Sequence, residues 1–123
     1  MLKILLVDDD SLSVEFMRLA LEDPNNAIST AFDCKTAIAT CSSERPDIVV
    51  TDLSLGDGSG AELALHARSC GIGLVVGVTG YDRSHLQKIG TDLSGFSHFL
   101  TKPLDLSQLC AVVEKYRSVS KSN

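Results

Sequence analysis

The stretch Ile4-Leu5-Leu6-Val7-Asp8-Asp9-Asp10 decides the fold. Four apolar residues in a row are too continuous for a strand with one face in water, which would alternate apolar with polar side chains. They read as a strand buried on both faces, and the sudden change to aspartate marks its end. The signature recurs along the chain. Asp47-Ile48-Val49-Val50-Thr51 runs into Asp52, Leu74-Val75-Val76-Gly77-Val78 into Thr79, and Phe96 to Thr101 into Lys102. A weaker strand covers Ala27 to Ala31.

Helix-period segments separate these runs, which is the pattern of a parallel sheet covered by helices. Val14, Met17 and Leu21 share one helical stripe, stopped by Pro24-Asn25-Asn26. A second helix is expected from Asp33, its N-cap, to Cys41. Ser59 followed by Glu62 is a capping box that opens a third helix ending near Cys70-Gly71. Asp82 to Asp92 reads as a fourth, less apolar helix carrying His85, Gln87 and Lys88. The last helix starts at Asp105, with Gln108 at the capping-box position, and buries Leu106, Leu109, Cys110 and Val113. Five such βα units in 123 residues fit an open doubly wound sheet, whereas a closed eight-fold barrel needs about twice that length.

Composition narrows the function. Sixteen acidic against eleven basic residues give a formal net charge of -5, which argues against a nucleic-acid binder, since that needs a basic face. No segment approaches the roughly 20 apolar residues that span a bilayer, so no membrane insertion is expected. The N-terminus lacks the apolar length and cleavage site of a secretory signal. The cysteines at 34, 41, 70 and 110 form no C-x-x-C pair and read as reduced thiols of a cytoplasmic protein.

Ligands of open parallel sheets bind beyond the carboxyl ends of the strands. Asp8-Asp9-Asp10, Asp52, Thr79 and Lys102 all follow strands and therefore converge on one rim. Carboxylates packed that closely repel one another unless a cation is present. Hard oxygen ligands in this arrangement suit Mg²⁺, which keeps waters and takes a phosphate oxygen. A metal and an ammonium flanking a carboxylate make a site for transferring a phosphoryl group onto that carboxylate. The Thr79 hydroxyl would donate a hydrogen bond to a phosphoryl oxygen.

These residues resemble the receiver domain of two-component response regulators, and the likeness covers nearly the whole chain. It is carried by Leu6-Val7-Asp8-Asp9, by Asp47 to Leu55 with Asp57-Gly58-Ser59-Gly60, by Val78-Thr79-Gly80, and by Gly95 to Pro103. The resemblance implies a flavodoxin-like five-stranded parallel sheet of order 2-1-3-4-5 with five helices, a receiver domain over 1–118 and a polar tail over 119–123. It implies Asp52 as the phosphoacceptor, loaded in a Mg²⁺-dependent reaction from phosphohistidine on a sensor histidine kinase or histidine phosphotransfer protein. Asp9 matches the direct metal ligand and Asp8 its water-mediated neighbour, with Asp52 and the Ser54 backbone carbonyl completing the set. Thr79 and Phe99 match the switch pair, and Lys102 the phosphate-contacting lysine, with a cis bond to Pro103. Ser54 and Tyr81 stand at tuning positions, Tyr81 where bulk would shield the acyl phosphate from water. Such a domain is a signalling phosphoacceptor that assists its own phosphorylation and dephosphorylation, not an enzyme. Its output would pass to a downstream protein through the face of the fourth helix, fifth strand and last helix, around Lys88, Phe99 and Leu109.

Blander and rival readings stand beside this one. His66 and His85 read as residues of solvated helix faces and His98 as an exposed strand residue. Gly56, Gly58 and Gly60 lack the Gly-Lys-Ser/Thr ending of a phosphate loop and read as a flexible connector. Asp8-x-Asp10 resembles the haloacid-dehalogenase phosphatase motif with Asp8 as nucleophile, but the chain has Lys102-Pro103 where that fold needs a late acidic pair. A flavin module would need a Ser/Thr-rich loop after the first strand, where three aspartates stand. An interaction module that is never phosphorylated is the remaining alternative.

Overall fold

The computed structural model describes residues 1–80 and 92–121. Tyr81, Lys88 and the helix expected from Asp82 lie outside the described residues. Five parallel strands form the main sheet: β1 (Leu2–Val7), β2 (Asn26–Ala31), β3 (Ile48–Asp52), β6 (Leu74–Thr79) and β7 (His98–Thr101). Their order is β2-β1-β3-β6-β7, which is the expected 2-1-3-4-5 once a separate hairpin of β4 (Ser54–Leu55) and β5 (Gly58–Ser59) is set aside. Four described helices accompany them: α1 (Ser11–Leu21), α2 (Cys34–Glu44), α3 (Gly60–Ser69) and α4 (Leu106–Lys121).

Each face of the sheet carries a core. Ile4, Leu6, Ile48, Val50, Val76 and Val78 point to the side covered by α1 and α4. Leu5, Val7, Val49 and Val75 point to the side covered by α2 and α3. Continuous apolar strands with period-2 side chains need two such layers. Val14, Met17 and Leu21 of α1 are buried as their spacing predicts, and Asp10 caps the helix by accepting the Leu12 N–H.

Local differences have local causes. The second helix continues past Cys41 to Glu44, because nothing breaks it until Arg45, left-handed at φ 47°, and then Pro46. Phe96 stands outside the fifth parallel strand: its N–H turns back to the Leu93 carbonyl, and the ladder begins when Ser97 donates to Val75. The last helix runs to Lys121, so the residues read as a polar tail begin inside it. His66 is half-buried rather than solvated, because α3 packs on α2, and its Nε2 lies 3.0 Å from Ser42 Oγ. Leu109 is buried in the core and is no part of a surface; the exposed Gln108 and the half-buried Val112 line a pocket with His98 and Phe99 instead. The glycine-rich connector is a paired hairpin, Ser54 opposite Ser59 and Leu55 opposite Gly58. No helix among the described residues is long and apolar enough to cross a membrane.

Candidate functional site

Parallel strands that start together end together, and the site stands where they end. β1 delivers Asp8 and Asp9, the central β3 ends in Asp52, its neighbour β6 ends in Thr79, and Lys102 follows β7. Carboxylate oxygens of Asp8, Asp9 and Asp52 lie within 4.8 Å of one another. Asp8 and Asp52 are buried and Asp9 is exposed. Lys102 Nζ donates to Asp52 Oδ2 at 2.8 Å.

The backbone sets each of these positions. Lys102 N–H donates to the Thr79 carbonyl at 2.7 Å, one step beyond the Thr79–Thr101 pair, and this extends the ladder to the lysine. The Lys102–Pro103 bond is cis. Asp8 Oδ1 accepts the Asp10 N–H at 2.9 Å, and Asp52 Oδ1 accepts the Ser54 N–H at 3.3 Å. Thr79 is buried at the same rim. Phe99, half-buried in β7, stands opposite Gly77, and its ring centroid is 4.9 Å from that of Phe96. Gly77 leaves the space these rings fill, since a Cβ there would come within 2.8 Å of Phe96 and 3.0 Å of Phe99.

Electrostatics give the cluster an appetite for cations. Burial pushes the Asp8 carboxyl above its usual range, and the charges of Asp52 and Asp9 add to this. The Asp10 N–H and Lys102 oppose the rise. Burial alone would lower Lys102, yet its bond to Asp52 and the charges of Asp52, Asp8 and Asp9 hold it above the usual lysine value. Three carboxylates face one ammonium, so a hard divalent cation with oxygen preference fits the donor set.

At the acidic rim opens a cavity of about 430 Å³ whose lining combines Asp8, Asp52 and Lys102 with the apolar Phe16, Leu104 and Leu106. Phe16 belongs to an exposed stripe of α1 with Leu12 and Leu19, each more than half exposed. No role is expected for these three from the sequence, although apolar residues off the buried Val14–Met17–Leu21 stripe are a readable signal. Gly60, expected to belong to a flexible connector, is instead tightly packed: a Cβ there would stand 2.1 Å from the Asp52 carbonyl oxygen.

The family model of the response regulator receiver domain matches residues 4–114. A 14.6 kDa protein from the sodA1 3' region of Leptolyngbya boryana is 31% identical over 116 residues, covering 92% of this chain and 88% of that one. The virulence transcriptional regulatory protein PhoP of Salmonella typhimurium is 28% identical over 111 residues, 90% of this chain but 50% of PhoP, so the chain spans about half of that regulator. A two-component response regulator from Clostridium difficile has a crystal structure that superposes with a TM-score of 0.82 at 30% identity, covering 94% of each chain.

Proposed function

The chain belongs to the response regulator receiver domain family, and from that premise we propose that Asp52 is its phosphoacceptor. The observation that carries this reading is the 2.8 Å contact from Lys102 Nζ to Asp52 Oδ2, set inside the cluster of three carboxylates. The donor would be phosphohistidine of a sensor histidine kinase or histidine phosphotransfer protein. An Asp52 oxygen attacks phosphorus as the P–N bond breaks, and the bonding pair leaves with the imidazole. The product is an acyl phosphate on Asp52 and a free histidine on the donor.

Asp9 and Asp52 would hold Mg²⁺ directly, with the Ser54 carbonyl, and Asp8 through water. The ion supplies positive charge to the phosphoryl oxygens. The remaining work falls to the chain. Lys102, now on Asp52 Oδ2, moves its ammonium onto a phosphoryl oxygen, and the Thr79 hydroxyl donates to another. Phe99 moves inward as Thr79 engages, so phosphorylation favours a second arrangement of the β7 and α4 surface and changes which protein binds there. Phe16, which lines the same cavity as Asp52 and continues the exposed α1 stripe of Leu12 and Leu19, offers the phosphodonor an apolar seat. The metal and switch roles come from the family resemblance, and the Lys102–Asp52 contact and the cluster of three carboxylates support them.

Incubation with Mg²⁺ and a small-molecule phosphodonor, followed by mass analysis, tests the assignment. Wild type should gain one phosphoryl group and Asp52→Asn none. Label on Asp8, or uptake by Asp52→Asn, would overturn it.

A further inference from the structure

Asp57 makes a contact that the proposed chemistry leaves unused. It stands at the turn between β4 and β5, five residues after the acceptor. Its carboxylate accepts two consecutive backbone N–H groups across the fold, from Cys34 at 2.7 Å and from Lys35 at 3.1 Å. These are the first two residues of α2. A helix leaves its first N–H groups without partners inside itself, and its dipole favours a negative charge there. Those bonds hold the Asp57 carboxyl below its usual range.

The helix has its own cap as well. Asp33 accepts the Thr36 N–H at 2.6 Å, so α2 is served once from its own N-cap and once from the acceptor's loop. The second service fixes the loop. At its far end Gly60 N–H donates to the Leu53 carbonyl at 2.8 Å. Between the two anchors runs the paired hairpin, whose first residue, Ser54, places its N–H on Asp52 Oδ1. The Cys34 thiol rests on the Ser59 carbonyl at 3.8 Å, which closes the hairpin against the helix.

We propose that Asp57 is a positioning residue of the phosphoacceptor site: by clamping the β4–β5 hairpin to the start of α2, it fixes Ser54 against Asp52 and so sets cation affinity and phosphoryl uptake. This rests on the function proposed above. Asp57 touches no reacting atom and acts through Ser54 alone.

Asp57→Ala tests it, with Asp33→Ala as the control that uncaps the same helix without touching the hairpin. Mg²⁺ affinity is read from the amide shifts of Asp52 and Leu53, uptake by mass after a small-molecule phosphodonor, and release of the clamp by hydrogen exchange at the Cys34 and Lys35 amides. In Asp57→Ala those amides should exchange faster, and Mg²⁺ affinity and uptake should each fall about tenfold, the worth of a hydrogen bond to a charged group. Asp57→Asn keeps one acceptor oxygen and should recover part of the loss. Asp33→Ala should lower the melting temperature and leave Mg²⁺ affinity unchanged. The proposal is overturned if Asp57→Ala accelerates amide exchange yet binds Mg²⁺ and takes the phosphoryl group within about twofold of wild type. Unchanged exchange, or equal loss of Mg²⁺ affinity in Asp33→Ala, overturns it too. A wild type that takes up no phosphoryl group overturns the function and this inference together, whereas normal wild-type uptake with an indifferent Asp57→Ala overturns the inference alone.

Discussion

Lys102→Ala takes one positive charge from a cluster of three carboxylates, and its two effects on the site should run in opposite directions. The ammonium lies 2.8 Å from Asp52 Oδ2, with the lysine side chain 41% exposed and the aspartate 11%. Coulomb's law at that distance gives about 1.5 kcal/mol in bulk water and about 6 kcal/mol at an effective dielectric of about 20. Exposure keeps the net value near the lower figure, and the cost of holding the side chain trims it further, so folding stability should fall by about 1 kcal/mol. Cation affinity should rise. A divalent ion held by the three carboxylates would be repelled by the ammonium, by about 1.7 kcal/mol in water for a separation of about 5 Å and by about 1 kcal/mol after physiological screening. Removing the lysine should therefore tighten Mg²⁺ binding about fivefold, while phosphoryl uptake slows by about a hundredfold for want of the charge that stabilises the transferring group. Calorimetric Mg²⁺ titration of both proteins, repeated in high salt, measures the first effect, and timed mass analysis the second. Weaker or unchanged Mg²⁺ affinity in the variant would refute the electrostatic reading. A fivefold gain that persists at about 1 M salt, where the screening length falls to about 3 Å, would refute it as well.

Three further outcomes follow from the packing. Gly60→Ala drives a methyl to 2.1 Å from the Asp52 carbonyl oxygen, so urea denaturation should show a loss of about 2 to 4 kcal/mol, and an unchanged midpoint would contradict the geometry. Gly77→Ala meets the Phe96 ring at 2.8 Å; a cost of about 1 to 3 kcal/mol and altered Phe99 ring resonances are expected, and a neutral result would show the space to be free. Burial pushes the Cys41 thiol up to about 11 from an ordinary 9.0. A thiol raised on folding contributes stability that is whole below the unfolded pKa and lost as pH rises through the folded one. Melting temperature should therefore drop between pH 9.0 and about 11, and Cys41→Ala, whatever its baseline, should flatten that part of the curve.

The strands and their ends were legible because both depend on short-range facts. A continuous apolar run such as Ile4 to Val7 can only be a doubly buried strand or a helix segment, and the aspartates that follow close the question. Asp8, Asp9, Asp52, Thr79 and Lys102 could be gathered on one rim from strand ends alone, and the structure brings all five there. Phe96 misled because an aromatic beside a strand carries the same propensity as one inside it. Its place is set by the hole at Gly77, nineteen residues earlier, which no local window sees. The β4–β5 hairpin was invisible for a related reason. Strands of two residues have no periodicity, and Gly56, Gly58 and Gly60 look like slack. Their order comes from Asp57 reaching α2 and from Gly60 pressing on Asp52.

The two-sided sheet leaves a problem that its polar rim solves. Ile4, Leu6, Ile48 and Val50 feed one core, while Leu5, Val7 and Val49 feed the other. Since both layers accept aliphatic side chains, sliding β3 by one residue along β1 would trade one core for the other with little apolar surface lost. Hydrophobic patterning, which fixes register when a face meets water, is nearly silent here. Polar residues at the strand ends break the tie. In the native register Thr51 stands beside Val7 and Asp52 beside Val78, at the last rung of the ladder. One step inward would drag a carboxylate between two oily layers, at a cost of several kcal/mol. Asp52, the proposed acceptor, is thus also a stop on the ruler that aligns the strands, and a variant that neutralises it should loosen the folding code along with the proposed chemistry.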